Sequence, residues 1–375
     1  MSRVSVPPLS RISRKFATVR DIVQGCDAAA DQYHVNHWKV WRRFLGLYSR
    51  RFSPREIFLW GLLDPSLGRG DLASYVSKEA LLRLQRRHNP PEYANLVEDK
   101  AVFYPHCEGV GLPVPRLLAT FNGDQAWLTE MSRFVSTVDL PEHGRRLGWG
   151  DFLVKPGEGV YGRGVRLVRD TAAGWADQFG SAFDTEGIAE YCRQYAVYRR
   201  FLLQERVHNH SLIGSLTGVD TLQTVRVITV AAGDGNPGEI VLANWRIAGR
   251  NGVTDNFDYG RGGNFLADVD VANGRIRHVV GPAPDRQGVE AASTHPVTGA
   301  SLAGVTLPHW PLVREVVIAG TVHFAPLQLI GWDIALTESG PVLLEANAWF
   351  DAGQNAFCAL PMVLEKTRQM ESEGR

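Results

Sequence analysis

The sequence predicts an α+β protein preceded by a helical N-terminal region. From residue 150 onward, apolar strand-like segments follow one another with only a few helices between them. Strict alternation of strand and helix is absent from this part of the sequence, which favours an α+β arrangement over a parallel α/β fold. The length of 375 residues allows two or three subdomains, each with its own core.

Helical patterns dominate residues 30–100. Aromatic and aliphatic positions between residues 38 and 45 recur near helical spacing. The segment Ser53-Pro54-Arg55-Glu56 is typical of a helix start, with serine as the cap and proline at the first helical position. Ser77 predicts the start of a further helix that ends at Pro90-Pro91. The segment Val97–Phe103 predicts one more helix, closing at the glycines 109 and 111.

Charge and apolar content limit the class of protein. The chain has 40 basic and 40 acidic residues, so net charge gives no reason to expect a nucleic-acid partner. No stretch approaches the roughly 18 apolar residues of a transmembrane helix, and no signal-peptide core is evident, which predicts a cytoplasmic protein. The four cysteines are far apart and predict free thiols.

The first twenty residues are strongly basic. Five basic residues precede the first acid, Asp21: they are Arg3, Arg11, Arg14, Lys15 and Arg20. A solvated tail explains this pattern, and contact with an anionic membrane or a polyanionic substrate is the alternative.

The strands after residue 150 are short apolar runs. They are Phe152–Lys155, Val165–Val168, Phe201–Glu205, Val225–Val230 and Ile240–Ala243. Helical segments are predicted at 186–200 and 311–324, and Asn273-Gly274 predicts the turn of a hairpin within 271–276.

The segment 331–347 predicts a hairpin that carries a metal site. With Glu338-Ser339-Gly340 as the loop, Asp333 lies opposite Glu345, and Asn347 shares the face of Glu345. Two carboxylates and an amide oxygen suit Mg²⁺, which takes its remaining ligands from water and phosphates. Solvated acids on an ordinary hairpin are the alternative, but the apolar residues around Glu345 indicate a buried strand, where an acid needs a partner.

A glycine-rich loop follows the first of these strands. Lys155-Pro156-Gly157-Glu158-Gly159-Val160-Tyr161-Gly162-Arg163-Gly164 contains the spacing of a dinucleotide fingerprint, but a returning strand follows it where that fingerprint needs a helix. A glycine hairpin of this kind is suited to fold over phosphates, with Lys155 as a nearby cation. A flexible surface hairpin is the alternative.

The order of these motifs resembles the ATP-grasp superfamily. Lys100, the Phe152–Pro156 strand with its glycine loop, Leu203-Gln204-Glu205, Thr224-Val225-Arg226 and the terminal acids carry the resemblance. The run 221–229, the loop Ser293–Gly299 and Gly331-Trp332-Asp333 are similar to the sugar-transfer-associated ATP-grasp group. Gln223 departs from that group, which tends to have asparagine there.

The resemblance covers roughly residues 95–355 and implies two α+β subdomains that clasp ATP. The implied division is a basic tail and helical region (1–95), a pre-ATP α/β segment (96–150), a lid subdomain with the glycine hairpin (151–207) and a C-terminal subdomain with the metal site (208–375).

The resemblance also implies roles for individual residues. Lys100 and Lys155 would contact ATP phosphates under the glycine lid, and the segment 204–207 would form the hinge beside adenine. Arg226 would stabilise the transferred phosphoryl group or a bound carboxylate. The lid glycines are Gly159, Gly162 and Gly164; the hinge residues are Gln204, Glu205 and Val207; the Mg²⁺ ligands are Asp333, Glu345 and Asn347.

Residues near glycines are candidates for binding an anionic substrate. Arg246, Arg261 and Asn264 are such residues, since guanidinium groups pair with carboxylates and phosphates. Solvent-exposed loop arginines are an equally ordinary alternative. His295 is a candidate base or substrate contact, or a residue of the turn before Pro296.

The resemblance implies an ATP- and Mg²⁺-dependent ligase acting on a small-molecule carboxylate and an amine or similar nucleophile, with a possible place in polysaccharide or specialised metabolite biosynthesis. The lack of a GxSxG-type nucleophile motif agrees with this activity. A kinase that phosphorylates a small molecule or sugar at the same ATP site is the first alternative. A non-catalytic nucleotide- or glycan-binding module is the second.

Overall fold

Two seven-stranded antiparallel sheets form the body of the protein. The computed structural model describes residues 19–159, 162–252, 254–260, 262–283, 289–351, 357 and 360–373. The basic segment 1–18 therefore lies outside the described residues. Helices and antiparallel sheets together confirm the predicted α+β class.

The helices lie mostly before residue 110. They are α1 (Val19–Gln32), α2 (His37–Ser49), α3 (Pro54–Leu59), α4 (Arg69–Ala73), α5 (Lys78–His88), α6 (Pro91–Glu98), α7 (Lys100–Gly109), α8 (Leu140–Arg146), α9 (Thr185–Gln194), α10 (Ser211–Thr217), α11 (Trp310–His323) and α12 (Leu360–Glu373). Single 3₁₀ turns lie at Thr137–Asp139 and Asp258–Gly260. None of these helices is both long and apolar enough to span a bilayer.

The first sheet has β7 at its centre, between β1 and β4. Its strands are β1 (Leu117–Phe121), β2 (Gln125–Leu128), β3 (Arg133–Ser136), β4 (Phe152–Pro156), β5 (Arg166–Thr171), β6 (Gly174–Asp177) and β7 (Phe201–Glu205), in the order β3-β2-β1-β7-β4-β5-β6. The boundary expected at residue 150 falls within this sheet, because β1 to β3 precede it and β4 to β7 follow it.

The second sheet has two almost entirely buried strands near one edge. Its strands are β8 (Thr224–Val230), β9 (Glu239–Ile247), β10 (Phe265–Val269), β11 (Ile276–Pro282), β12 (Val289–Ala291), β13 (Leu329–Thr337) and β14 (Gly340–Asn347), in the order β12-β11-β10-β9-β8-β13-β14. Every residue of β8 is buried, and β13 is buried up to its last residue. The largest core cluster joins this sheet to α7 and α11.

The N-terminal helices confirm their predicted starts. Ser53 and Glu56 form a reciprocal capping box on α3, and the side chain of Ser77 accepts a hydrogen bond from the backbone of Ala80 at the start of α5. The helical region has its own core, which also includes Phe257 and Leu266 of the second sheet's neighbourhood. The helices are therefore packed onto the α+β body.

Two predicted helices have different bounds. The helix expected to run through Val97–Phe103 is broken at Asp99, because the Asp99 carboxylate accepts a hydrogen bond from the Ala101 backbone at 2.9 Å and starts α7. The helix expected over 186–200 ends at Gln194. A hairpin with Asn273-Gly274 in its loop is confirmed, but the loop is longer than a two-residue turn, because the Asp270 backbone donates to the Arg275 carbonyl at 2.8 Å. The strands of this hairpin are Phe265–Val269 and Ile276–Pro282.

Candidate active site

The terminal hairpin places Asp333 directly opposite Glu345, as the sequence predicts. The loop length and the strand register that produce this pairing differ from those expected. Thr337 pairs with Gly340, so the loop has two residues, and a bulge beside Leu344 then restores the alignment of the two acids. Asn347 pairs with Gly331 at the end of the same strand.

Two arginines converge on Asp333. Arg226 lies opposite it on β8 and donates two hydrogen bonds, one from Nε to Oδ1 and one from Nη2 to Oδ2 at 2.8 Å. Arg246 on β9 donates from Nη2 to Oδ1. Burial alone would raise the pKa of Asp333, but these two guanidinium groups hold it well below its usual range. Asp333 is therefore an anion across the ordinary pH range.

A second buried acid, Asp255, supports Arg246. Its Oδ2 accepts hydrogen bonds from the Thr224 backbone at 2.7 Å and the Thr224 hydroxyl at 2.6 Å, and its Oδ1 lies 3.9 Å from Arg246 Nη1. Burial raises the pKa of Asp255, and Arg246 opposes that rise. Burial would lower the pKa of Arg246, but Asp333 and Asp255 raise it above its ordinary value. Asp255 lies in a loop with no sequence signal.

Lys100 joins the glycine loop to the terminal hairpin. Its ammonium lies 3.0 Å from Glu345 Oε2 and donates to the Gly159 carbonyl at 3.3 Å, and the side chain is buried. The helix dipole disfavours a cation at the first residue of α7, so helix stability does not explain this lysine. Burial would lower the pKa of Lys100, but Glu345 raises it above its ordinary value, so Lys100 is fully charged.

Lys155 is buried beside Tyr104. Its ammonium donates to the Tyr104 hydroxyl at 2.8 Å and lies 5.2 Å from the centre of the ring. The hydroxyl lies 2.8 Å from both Gln204 Oε1 and the Leu344 carbonyl. Burial, with Lys100 nearby, lowers the pKa of Lys155 to about 7. Sequence reasoning missed Tyr104, whose spacing on α7 marks it only as a core aromatic.

The predicted hinge lies at the end of β7. The Arg116 backbone donates to Glu205 Oε1 at 2.7 Å, and the Gln204 amide donates to the Glu205 carbonyl at 3.3 Å. Val207 follows, half-buried, in a segment without regular secondary structure. Gln204 is therefore adjacent to the Lys155–Tyr104 pair, whereas Glu205 is held against the start of β1.

The glycine loop contacts α7 through its backbone. The Gly157 carbonyl accepts from the Lys100 backbone at 3.0 Å. Gly162 and Gly164 have φ of +68° and +82°, the left-handed region where glycine is favoured, and a Cβ on Gly164 would lie 3.0 Å from Pro156. These turns return the chain to β5 as predicted, and the two residues between Gly159 and Gly162 lie outside the described residues.

The residues predicted to bind substrate do not all lie in the candidate site. Arg246 lies in the site, and Arg261 lies outside the described residues. Asn264 is buried and bonds to the backbone of Gly249, Thr254 and Asn256. The two ring nitrogens of His295 contact the Ala248 carbonyl at 2.9 Å and the Val297 backbone at 3.3 Å. Both side chains support the loops beside β9 and β10.

A profile of the sugar-transfer-associated ATP-grasp family matches residues 80–358. The match spans most of the chain and includes every candidate residue of this site. The chain belongs to the sugar-transfer-associated ATP-grasp family. The helices α1 to α4 precede the matched region.

Solved structures similar to this ATP-grasp protein share little sequence with it. D-alanyl-alanine synthetase A from Vibrio cholerae is 12% identical, with a TM-score of 0.39 over 70% of this chain and 57% of that one. N5-carboxyaminoimidazole synthase from Aspergillus clavatus is 11% identical, with a TM-score of 0.40 over 78% and 58%. D-alanine–D-alanine ligase from Bacillus anthracis is 12% identical, with a TM-score of 0.40 over 76% and 72%. The chain spans under three fifths of the length of the first two. No curated protein matches it.

The oxygen donors of the candidate site, Asp333, Glu345 and Asn347, are of the type that Mg²⁺ takes. Among the described residues, no three His, Cys, Asp or Glu side chains cluster as a metal site. The predicted set has two carboxylates and one amide, which is enough for Mg²⁺ only when phosphate and water complete the shell. The Asn347 amide lies 3.3 Å from Glu345 Oε1, so the two groups are adjacent. The Asp333 carboxylate already accepts hydrogen bonds from Arg226 and Arg246.

Proposed function

We propose that the protein is an ATP- and Mg²⁺-dependent ligase that activates a carboxylate as an acyl phosphate for attack by an amine or a similar nucleophile. The observation that carries this proposal is the burial of two lysines, Lys100 and Lys155, at the glycine loop. Buried ammonium groups are costly unless an anion neutralises them. Glu345 offsets only one of the two, which suits a site for a polyphosphate.

The charge balance of the site supports the same substrate. Three cations, Lys100, Lys155 and Arg226, are buried in the site, and a fourth, Arg246, is half-buried. Asp333 and Glu345 contact three of these cations at 3.0 Å or less, and Asp255 lies 3.9 Å from Arg246. Positioned cations neutralise the charge that develops on a transferred phosphoryl group. We assign Lys100 and Lys155 to the phosphates and Arg226 to the transferred group or the acid substrate.

Glu345, Asn347 and Asp333 are the residues that would hold Mg²⁺. The ion would neutralise and orient phosphate oxygens. Asp333 also keeps Arg226 and Arg246 in fixed positions through its hydrogen bonds. Loss of Asp333 would therefore disturb both guanidinium groups as well as the metal shell.

The proposed reaction needs no covalent enzyme nucleophile. The carboxylate oxygen of the substrate attacks the γ-phosphorus of ATP, the bond to the β-phosphate oxygen breaks, and ADP leaves. The nucleophile then attacks the acyl carbon and displaces inorganic phosphate. Burial raises the pKa of Cys107, the cysteine on α7, to about 12, so this thiol is a poor nucleophile near neutral pH.

The test measures ADP release from MgATP with hydroxylamine and a pool of amino acids, uronic acids and other carboxylates. The native chain is compared with Glu345→Ala and with Glu290→Ala, an exposed acid on β12 at the opposite edge of the same sheet. We expect pool-dependent ADP and hydroxamate from the native chain and from Glu290→Ala. We expect a loss of about a hundredfold or more in Glu345→Ala.

Two other outcomes would contradict the ligase proposal. Release of ADP with a stable phosphorylated product and no hydroxamate would identify a kinase. Binding of ATP without turnover, unchanged in Glu345→Ala, would identify a nucleotide-binding module.

A further inference from the structure

Helix α2 presents a solvent-facing surface of mixed aromatic and cationic character. Trp38, Leu45 and Tyr48 are 71%, 55% and 50% exposed. Trp38, Arg42, Leu45 and Ser49 recur at helical spacing and share one face, termed here the Trp38 face. The opposite face packs into the N-terminal core through Val40, Phe44 and Leu47.

The segment that forms this surface carries only one sign of charge. Between residues 37 and 52 there are five basic residues and no acid: Lys39, Arg42, Arg43, Arg50 and Arg51. Arg43 and Arg50 donate to backbone carbonyls, and Arg51 lies 3.4 Å from Glu79. Within the described part of the chain, the side chains of Lys39 and Arg42 have neither an ion pair nor a hydrogen bond. Two free cations therefore flank Trp38 and Leu45.

We propose that the Trp38 face binds the surface of an anionic membrane. Tryptophan rings favour the boundary between headgroups and acyl chains, and leucine inserts beside them. Lysine and arginine next to such side chains are attracted to anionic headgroups. The fixed helix presents these groups without any ordering cost, because its other face is already packed in the core.

Charge favours a lipid surface over a second copy of the chain. In a symmetric dimer through this face, Lys39 and Arg42 of each copy would approach those of the other, and like charges would oppose association. The sequence before α1 has the same sign, since it contains four basic residues and no acid. An anionic bilayer complements the charges of Lys39 and Arg42.

This inference is independent of the proposed ligase activity. The Trp38 face belongs to the helical region that precedes the family match at residue 80. Its side chains do not contact Lys100, Glu345 or Asp333.

The test uses the full chain and flotation with vesicles. Vesicles of phosphatidylcholine containing phosphatidylglycerol are compared with vesicles of phosphatidylcholine alone. The variants are Trp38→Ser with Leu45→Ser, Lys39→Gln with Arg42→Gln, and the control Phe179→Ser, which removes a 76% exposed aromatic residue after β6. Thermal denaturation verifies that each variant is folded.

We expect the native chain and Phe179→Ser to bind the anionic vesicles and not the neutral ones. We expect the Trp38/Leu45 variant and the Lys39/Arg42 variant each to bind about tenfold more weakly or worse. Absence of native binding to anionic vesicles would overturn the proposal. Equal binding by native chain and Trp38/Leu45 variant would also overturn it, as would a dimer in sedimentation equilibrium that this variant abolishes.

Discussion

The buried charge of Lys155 destabilises the free protein, and in the proposed site the same charge binds phosphate. Its ordinary pKa is 10.5, and burial lowers this to about 7 in the folded chain. Between these two pH values the unfolded chain binds more protons at this position than the folded chain, so the free energy of unfolding rises with pH. The penalty for a charged Lys155 is thus complete below pH 7 and relieved towards pH 10.5.

Replacement of Lys155 by methionine should therefore stabilise the free protein in a pH-dependent way. We expect a gain on the order of 2 kcal/mol at pH 6 that shrinks by pH 10, because methionine carries no charge to desolvate. Urea denaturation at both pH values measures it. Lys39→Met, an exposed lysine on α2, is the control and should change the free energy of unfolding by under about 0.5 kcal/mol.

The same variant should lose nucleotide affinity by about tenfold or more, since a cation at the phosphates is removed. Isothermal titration with MgATP measures this loss. A Lys155→Met chain that is less stable at pH 6 than the native chain would contradict the assigned cost. Unchanged affinity would remove Lys155 from the phosphate site.

At the residue scale, the charged residues of the candidate site could be picked out from the sequence, but several residues that contact them could not. Asp333, Glu345 and Lys155 stand out because charged residues in apolar strands need compensation. Tyr104 and Asp255 were missed, because a core tyrosine and a loop aspartate look ordinary until distant segments meet. Long-range hydrogen bonds, such as the one from Tyr104 to Gln204, leave no periodic trace in sequence.

At the element scale, α11 lies unusually close to the second sheet at Gly320. A Cβ on Gly320 would lie 2.6 Å from the ring of Trp332 on β13. That ring is fully buried, and its Nε1 donates to the Thr229 hydroxyl at 2.8 Å, so it cannot turn aside without losing a hydrogen bond. Glycine at this position sets the helix-to-sheet distance.

Gly320→Ala should therefore destabilise the protein despite the better helix propensity of alanine. We expect a loss of about 1–3 kcal/mol from overpacking. The matched control is Gly46→Ala on α2, where no atom outside the neighbouring helix backbone lies within 4 Å of the added Cβ. There alanine should add about 0.5–1 kcal/mol. Denaturant midpoints at pH 7 measure both, and equal shifts of the same sign would contradict the close approach.

Elements were predicted well where local chemistry decides them. The caps at Ser53 and Ser77 and the presence of a hairpin loop at Asn273-Gly274 follow from side-chain and backbone preferences within a few residues. The bulge beside Leu344 and the break at Asp99 were not predicted. The break follows from the Asp99 carboxylate, which caps α7, whereas no local residue specifies the bulge beside Leu344.

At the scale of the whole molecule, α7 connects the two sheets at the candidate site. Tyr104 contacts Gln204 on β7 and the Leu344 carbonyl on β14. Lys100 contacts the Gly159 carbonyl and Glu345 on the same two sides. The order of strands in each sheet was beyond sequence reasoning, since β7 pairs with β1 across more than eighty residues and nothing local specifies this partner.

The core of the helical N-terminal region also contains side chains from the rest of the protein, so deletion of this region tests how far the rest depends on it. Its core includes Phe257 and Leu266, each 4% exposed, from the body of the protein. Deletion of residues 1–74 would uncover both side chains, and their burial is worth about 1.5–3 kcal/mol each. We expect the shortened chain to lose roughly 10 °C in Tm or to aggregate.

Thermal denaturation and size-exclusion chromatography measure this, with deletion of residues 1–18 as the reference. An unchanged Tm with a monodisperse product would show that the rest of the chain does not depend on α1 to α4 for its stability.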